Sequence, residues 1–441
     1  MTNKALEIDL VIEARWVATV NPENVLKNHA VAVHGGRILA VLPISQSRVR
    51  YRATRRVTLD EHILIPGLVN LHTHAAMSLM RGMADDLPLM EWLQNHIWPA
   101  EAAHASAQFV LDGTRLACAE MLKGGITCFN DMYFYPDAAA SAAAEFGMRA
   151  VLGITALEFP TGYASDADDY LNKGLAVREA WLDRPLTHFC LAPHAPYTVS
   201  DNSFRRILTL SEQLNLPIHC HLHETRQELE DSQRQHGMTP IRRLHQLGLL
   251  GPELIGVHGV HFSDDELALL ADTGTSIAHC PTSNMKLASG FAPVARMRQL
   301  GINVGLGTDG AASNNRLDLF AEMKLAALLA KGSTGDAAAL PAHDVLRMAT
   351  LAGAQALGLA DEIGSLTAGK SADICAVHLG ALESRPCYDP VSHLVHVCGR
   401  ESVSHVWVAG KCCVDNKTLP SQPLNDLETA IALWQNKLEV R

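Results

Sequence analysis

Residues 219–225 read HCHLHET, three histidines at every second position with a glutamate directly behind them. A strand repeats its side-chain direction every two residues, so His219, His221 and His223 would project to one face. Three imidazoles in a row make poor core packing and a natural start for a metal site. LHTH spaces His72 and His74 in the same way, VHGVH carries His258 and His261, and GLGTDG carries Asp309. Taken alone, His72 and His74 are as readily a buried, hydrogen-bonded pair as a pair of ligands. Three histidines and an aspartate together are what a catalytic zinc takes, nitrogen and carboxylate oxygen with one position kept for water. A structural zinc site more often uses cysteines in short spacings, and the ten cysteines here are scattered without a CxxC. The same donors also suit iron, manganese, cobalt or nickel.

Such residues need elements to bring them together. Eight apolar runs end in polar residues: LIPGLVNLHTH, GITCFNDMY, RAVLGITAL, THFCLAPHAP, LPIHCHLHE, LIGVHGVHF, TSIAHCPTSN and INVGLGTDG. Helical patterns such as AQFVLDGTRLACAEMLKG and SFRRILTLSEQLN lie between most of them, several closed by a glycine. Strand and helix in eightfold alternation predict an α/β protein with a (β/α)₈ barrel, whose working residues gather at the C-terminal ends of the strands. The polar residues fall at those ends repeatedly. Residues 66–364 are assigned to the barrel. Residues 1–65 and 365–441 hold short β-type runs, with HGG at 34–36 as a hairpin turn, and are expected to pair into a small β-sandwich. In the tail, Leu427, Ile431, Trp434 and Leu438 share one helical face, expected to dock on the body.

Composition narrows the function classes. The 441 residues carry a formal net charge of −11, and no basic stripe offsets it, which argues against nucleic acid as a partner. The early residues lack the apolar core of a secretory signal, and no apolar run is long enough to cross a bilayer. Scattered cysteines without such a signal point to reduced thiols in a cytoplasm.

The motifs LIPGLVNLHTHAAMSLMRG, HLHE, VHGVH, HCPTSNMKL and GLGTDGAASNN, with GSLTAGKSADI behind them, resemble the amidohydrolase superfamily. Within it they are most similar to the branch of 5′-methylthioadenosine/S-adenosylhomocysteine deaminases and related aminohydrolases. The resemblance runs over nearly the whole chain, and the set in this order is specific where each motif alone is not. It implies a hydrolase acting on C–N bonds in cyclic amidines, with one zinc per subunit and a homo-oligomeric assembly. His72, His74, His221 and Asp309 are the implied ligands, and Glu224, His258 and Asp309 the implied catalytic residues. His219, His223 and His261 are left as supporting or structural. Two-metal members carry a carbamylated lysine at the end of the fourth barrel strand; THFCLAPHAP has none, which favours a single metal.

Purine deamination needs an activated water at C6, a proton on N1 and a proton for the departing amine. Asp309 fits the base and acid at the water and amine, Glu224 the proton to N1, and His258 the orientation of the water. The HxE…PCxxC signature of cytidine-type zinc deaminases is absent. In the resembled branch a glutamate just after EWL binds ribose hydroxyls, which assigns Glu101; an exposed carboxylate at a helix start is the alternative. His194 in PHAPYT is a second candidate nucleoside contact, joined by Glu224 itself. Trp92 and Met90 are purine walls or ordinary core. Relatives that take S-adenosylhomocysteine supply arginine after the third strand; LEFPTGYASDADDYLNKG has only Lys173 among several acids. The expected substrate is therefore methylthioadenosine, with adenosine or S-adenosylhomocysteine behind it. The rival readings are deamination or dechlorination of another ring (guanine, cytosine, pterin, triazine) and, remotely, a non-catalytic scaffold.

Overall fold

The computed structural model describes residues 5–419 and 424–439. Four strands lead: β1 (Leu6–Ala18), β2 (Val25–His34), β3 (Arg37–Pro43) and β4 (Tyr51–Pro66). The barrel strands follow as β5 (Leu68–Thr73), β6 (Ile126–Asp131), β7 (Arg149–Ala156), β8 (Thr187–Pro193), β9 (Ile218–Leu222), β10 (Leu254–His258), β11 (Ser276–His279) and β12 (Val304–Leu306). Three more close the chain's β content: β13 (Ile374–His378), β14 (Val403–Val408) and β15 (Lys411–Val414). β5 to β12 pair in strict chain order, each parallel to the next. Each falls on one of the eight apolar runs read from the sequence.

Closure depends on two small residues in β12 and just beyond it. A Cβ on Gly305 would lie 2.7 Å from the Leu71 side chain, and one on Gly307 would lie 2.9 Å from His72 Cβ. Glycine alone lets the last strand come this near the first. Among the described residues a single backbone bond crosses here, Asp309 N–H to His72 O at 3.0 Å. The Asn70 side chain adds two more, accepting from Thr308 N–H (2.9 Å) and donating to Thr308 Oγ1 (2.7 Å).

The remaining strands form one mixed sheet in the order β15-β14-β13-β4-β1-β2-β3. It bends back over its own core, so the expected sandwich is a single continuous sheet. Ile38 on the β3 edge shares an apolar cluster with Ala372, Ile374 and Trp407 from the far side, and its N–H donates to Lys370 O at 2.8 Å. Gly35 and Gly36 (φ 57° and 75°) make the two-residue β2–β3 hairpin turn, where both positions need left-handed backbone.

The helix Leu424–Glu439 docks as its pattern predicts. Leu427, Trp434 and Leu438 are buried and Ile431 is half-buried. Trp434 Nε1–H donates to Asp112 Oδ2 (2.9 Å), and its ring meets Phe109 edge-on at 5.1 Å. No helix among the described residues is long and apolar enough to cross a membrane.

Candidate metal centre

The proposed ligands come from the first, fifth and eighth barrel strands. His72 lies in β5 and His74 one residue past it, His221 lies in β9, and Asp309 follows β12. His72 Nε2 stands 3.2 Å and His74 Nε2 3.4 Å from Asp309 Oδ1. Donor atoms of His72, His74 and Asp309 all lie within 4.8 Å of one another, as do those of His72, His221 and His258. His72 Nε2 is buried and has no hydrogen-bond partner. A buried polar atom left this way costs free energy unless something fills the centre.

The outer nitrogens explain why the inner ones face the centre. His74 Nδ1–H donates to Met132 O (2.6 Å) and His221 Nδ1–H to His194 O (2.7 Å). His258 Nδ1–H donates to Asn284 Oδ1 (2.9 Å), and His72 Nδ1 shares a hydrogen bond with His219 Nε2 (3.0 Å). With Nδ1 carrying the proton, each Nε2 presents its lone pair inward. Burial pushes His72 down to about 4 and His221 well below the usual imidazole value, so the rings are neutral and ready to bind a cation. Neutral nitrogen beside a carboxylate suits zinc, and the donor set fits one divalent ion.

Asp309 is held by more than its neighbours in the centre. Its backbone is left-handed (φ 61°), which a non-glycine residue adopts at some cost. Gly310 N–H donates to Oδ1 (2.8 Å), and the Ser283 and Ser313 hydroxyls donate to Oδ2 at 2.6 and 2.7 Å. The sequence reading named neither serine.

Glu224 reaches the same space because the chain turns after β9. His223 takes a left-handed φ of 56°. The N–H groups of His223 and Glu224 then donate to the Glu228 carboxylate at 3.1 and 2.8 Å. Thr225 caps the following helix, Arg226–His236, by accepting from Glu228 N–H. One side chain from the first helical turn thus folds back over the strand end and fixes the bend. Glu224 Oε2 comes to 3.7 Å from His258 Nε2, and burial raises the Glu224 pKa. His223 and His261 face elsewhere: His223 Nε2 accepts from Ile241 N–H (3.0 Å), and His261 Nε2–H donates to Ser289 O (2.8 Å).

These groups floor a cavity of about 430 Å³. Trp92, Glu101 and His194 line it, while Met90 does not. Glu101 stands on the helix Trp98–His104, and burial raises its pKa against the opposing effects of Tyr133 and His74. His194 Nδ1 bonds the Thr198 hydroxyl (3.0 Å), and burial pushes the ring down to about 3. Tyr133, Phe134, Tyr135, Phe159 and Tyr163 form an aromatic wall that the sequence reading missed. A signal existed: aromatics are 5% of the chain, yet YFY stands one residue past β6. Among the described residues, no lysine or arginine lines the cavity. Lys173 turns away, bonded to Tyr163 O (2.8 Å) and Asp169 (2.9 Å).

The amidohydrolase family matches residues 63–413. The chain is 47% identical to a 5-methylthioadenosine/S-adenosylhomocysteine deaminase from Saccharophagus degradans, over all of this chain and 99% of the relative. It is 41% identical to a 5′-deoxyadenosine deaminase from Methanosarcina acetivorans, over 92% of this chain and 93% of the relative. Among solved structures it resembles a zinc-bound adenosine deaminase from Xanthomonas campestris, with a TM-score of 0.98, 46% identity, and 99% and 100% of the two chains covered.

Proposed function

From the premise that the chain belongs to the amidohydrolase family and is a hydrolase of C–N bonds in cyclic amidines, we propose that it deaminates the adenine ring of 5′-methylthioadenosine. The products are the inosine-type nucleoside and ammonia. One observation carries the reading: Glu224, His258 and Asp309 converge on a donor cluster in a cavity that holds Glu101 and an aromatic wall but, among the described residues, no lysine or arginine.

His72, His74, His221 and Asp309 would hold the metal. A divalent cation bound there lowers the pKa of a coordinated water from near 16 to about 7. The side chains do the remainder. Asp309, fixed by two serine hydroxyls, accepts the proton of the attacking water and returns it to the amine that leaves C6. Glu224, whose pKa burial raises, delivers a proton to N1 as the ring loses aromaticity and takes one back from the C6 hydroxyl as the amine leaves. His258, its Nδ1 tied to Asn284, orients the water through Nε2.

Glu101 accepts the ribose hydroxyls, and Trp92 and His194 border the nucleoside. The relatives' names include 5-methylthioadenosine/S-adenosylhomocysteine, 5′-deoxyadenosine and adenosine deaminases, and the cavity lining supports methylthioadenosine among these. An amino-acid tail would bring its carboxylate into a cavity with no lysine or arginine among the described residues, which costs affinity. A methylthio group meets the aromatic wall instead. Ten free thiols and the acidic charge accord with a cytoplasmic enzyme of small-molecule metabolism.

The test is ammonia release by zinc-loaded protein given methylthioadenosine, adenosine, S-adenosylhomocysteine and guanine in parallel. Fastest turnover of methylthioadenosine is expected. Faster release from S-adenosylhomocysteine would overturn the substrate, and release from guanine alone would overturn the nucleoside reading.

A further inference from the structure

The two groups proposed to handle the water are delivered by separate segments. Asp309 begins the turn that runs to Asn315, while Asn284, which anchors His258, lies on the helix Pro281–Lys286 beside Ser283. Glu322, from the helix Leu319–Thr334, reaches between them. Its Oε2 accepts from Thr282 N–H at 3.0 Å, and its Oε1 accepts from Asn314 Nδ2–H at 2.8 Å. Asn314 Nδ2 also donates to Thr308 O at 2.7 Å, next to Asp309. One carboxylate therefore grips the segment behind His258 and the segment behind Asp309.

The setting makes this choice of residue expensive. Glu322 is 1% exposed on a helix face otherwise built of Leu319, Phe320, Met323, Ala326 and Ala327. No lysine or arginine is among its hydrogen-bond partners in the described residues. An acid buried without a cation is destabilising unless its bonds do something that an apolar side chain could not. Packing alone would be served by leucine or methionine.

We propose that Glu322 is a positioning residue, holding the Asp309 carboxylate and the His258 ring in register with each other through Thr282 and Asn314. It touches neither substrate nor metal. This rests on the roles proposed for Asp309 and His258.

Glu322→Gln keeps the shape and turns an amide toward one of the two donors, and Asn314→Ala removes one donor outright. Both variants, zinc-loaded, are compared with the wild type for kcat, KM and Tm with methylthioadenosine. We expect kcat to fall about tenfold or more with KM within about twofold. The double variant should fall no further than the worse single, since both cut one path. The visible absorption of the cobalt-loaded proteins should change in both variants, because it reports the geometry around Asp309. Unchanged kcat and an unchanged cobalt spectrum with a lower Tm would overturn the proposal, leaving Glu322 a stability residue. Where Glu322→Gln does not fold, Asn314→Ala decides alone. Were the wild type inactive on methylthioadenosine, the function reading would fail, and the cobalt spectra would still judge the positioning.

Discussion

At the scale of single residues, the proposed mechanism gives Asp309, Glu224 and Glu101 three jobs that charge alone would not distinguish. Asp309→Asn should cost about a thousandfold or more in kcat, since it removes a proton acceptor and weakens metal binding together. Near-normal turnover would rule out the mechanism. Glu224→Gln should retain stoichiometric metal and lose about a hundredfold in kcat; loss of the metal would make Glu224 a ligand instead. Glu101→Ala should reduce kcat/KM for nucleosides by about tenfold or more while sparing any free-base activity, because only a sugar offers it hydroxyls. The candidate histidines were legible in the sequence because a strand period of two leaves its mark on their spacing, while the choice of His221 among them, and of Asp309, was implied by the family resemblance. Ser283, Ser313 and Asn284 were not, since a hydroxyl or amide that orients a ligand has no spacing rule of its own.

At the scale of elements, the eight strands were legible as apolar runs with polar ends, and all eight are present. What periodicity could not convey was the path of the loops that shape the cavity. The segment 89–104 breaks its helix with a π-turn at Leu93–Ile97, ahead of Glu101. The aromatic wall comes from the loops after β6 and β7, where no repeat pattern directs side chains. Glu228 shows the same limit: the helix cap at Thr225 is readable, but the backward reach of Glu228 to fix the β9 turn is a tertiary matter. The wall also gives a specificity prediction. Phe159→Arg would add the missing cation and should raise kcat/KM for S-adenosylhomocysteine relative to methylthioadenosine by about tenfold, or 1.4 kcal/mol. An unchanged ratio would place the 5′ end of the substrate elsewhere.

For the whole molecule, burial of imidazoles sets the response to pH. Burial pushes His62 and His188 down to about 4 and His194 and His279 to about 3. Unfolding returns each to about 6.5, so the unfolded chain binds more protons below that value. The stability from these rings is present above pH 6.5 and is lost as pH falls toward 4. Glu228 and Glu322, pushed up by burial to about 7, act in the opposite sense: their contribution is present below pH 4.5 and lost as pH rises through 7. With His72 and His221 added to these rings and Glu101 and Glu224 to these carboxyls, the rings pushed down still outnumber the carboxyls pushed up, which predicts that the urea midpoint of the metal-free protein rises from pH 4.5 to 6.5. A flat or falling profile would mean that these rings protonate inside the fold.

The place where β12 meets β5 has one more implication, which concerns time. Among the described residues no ladder joins β12 to β5, and the proposed ligands lie on both sides of that seam: His72 and His74 on one, Asp309 on the other. A cation shared by them would act as a clasp. Opening that line would break one backbone bond and two from Asn70, fewer than parting the seven-pair ladder between β7 and β8. Bound metal should therefore slow deuterium uptake at the Thr308 and Asp309 amides more than at β7 or β8, and chelation should release those two amides first.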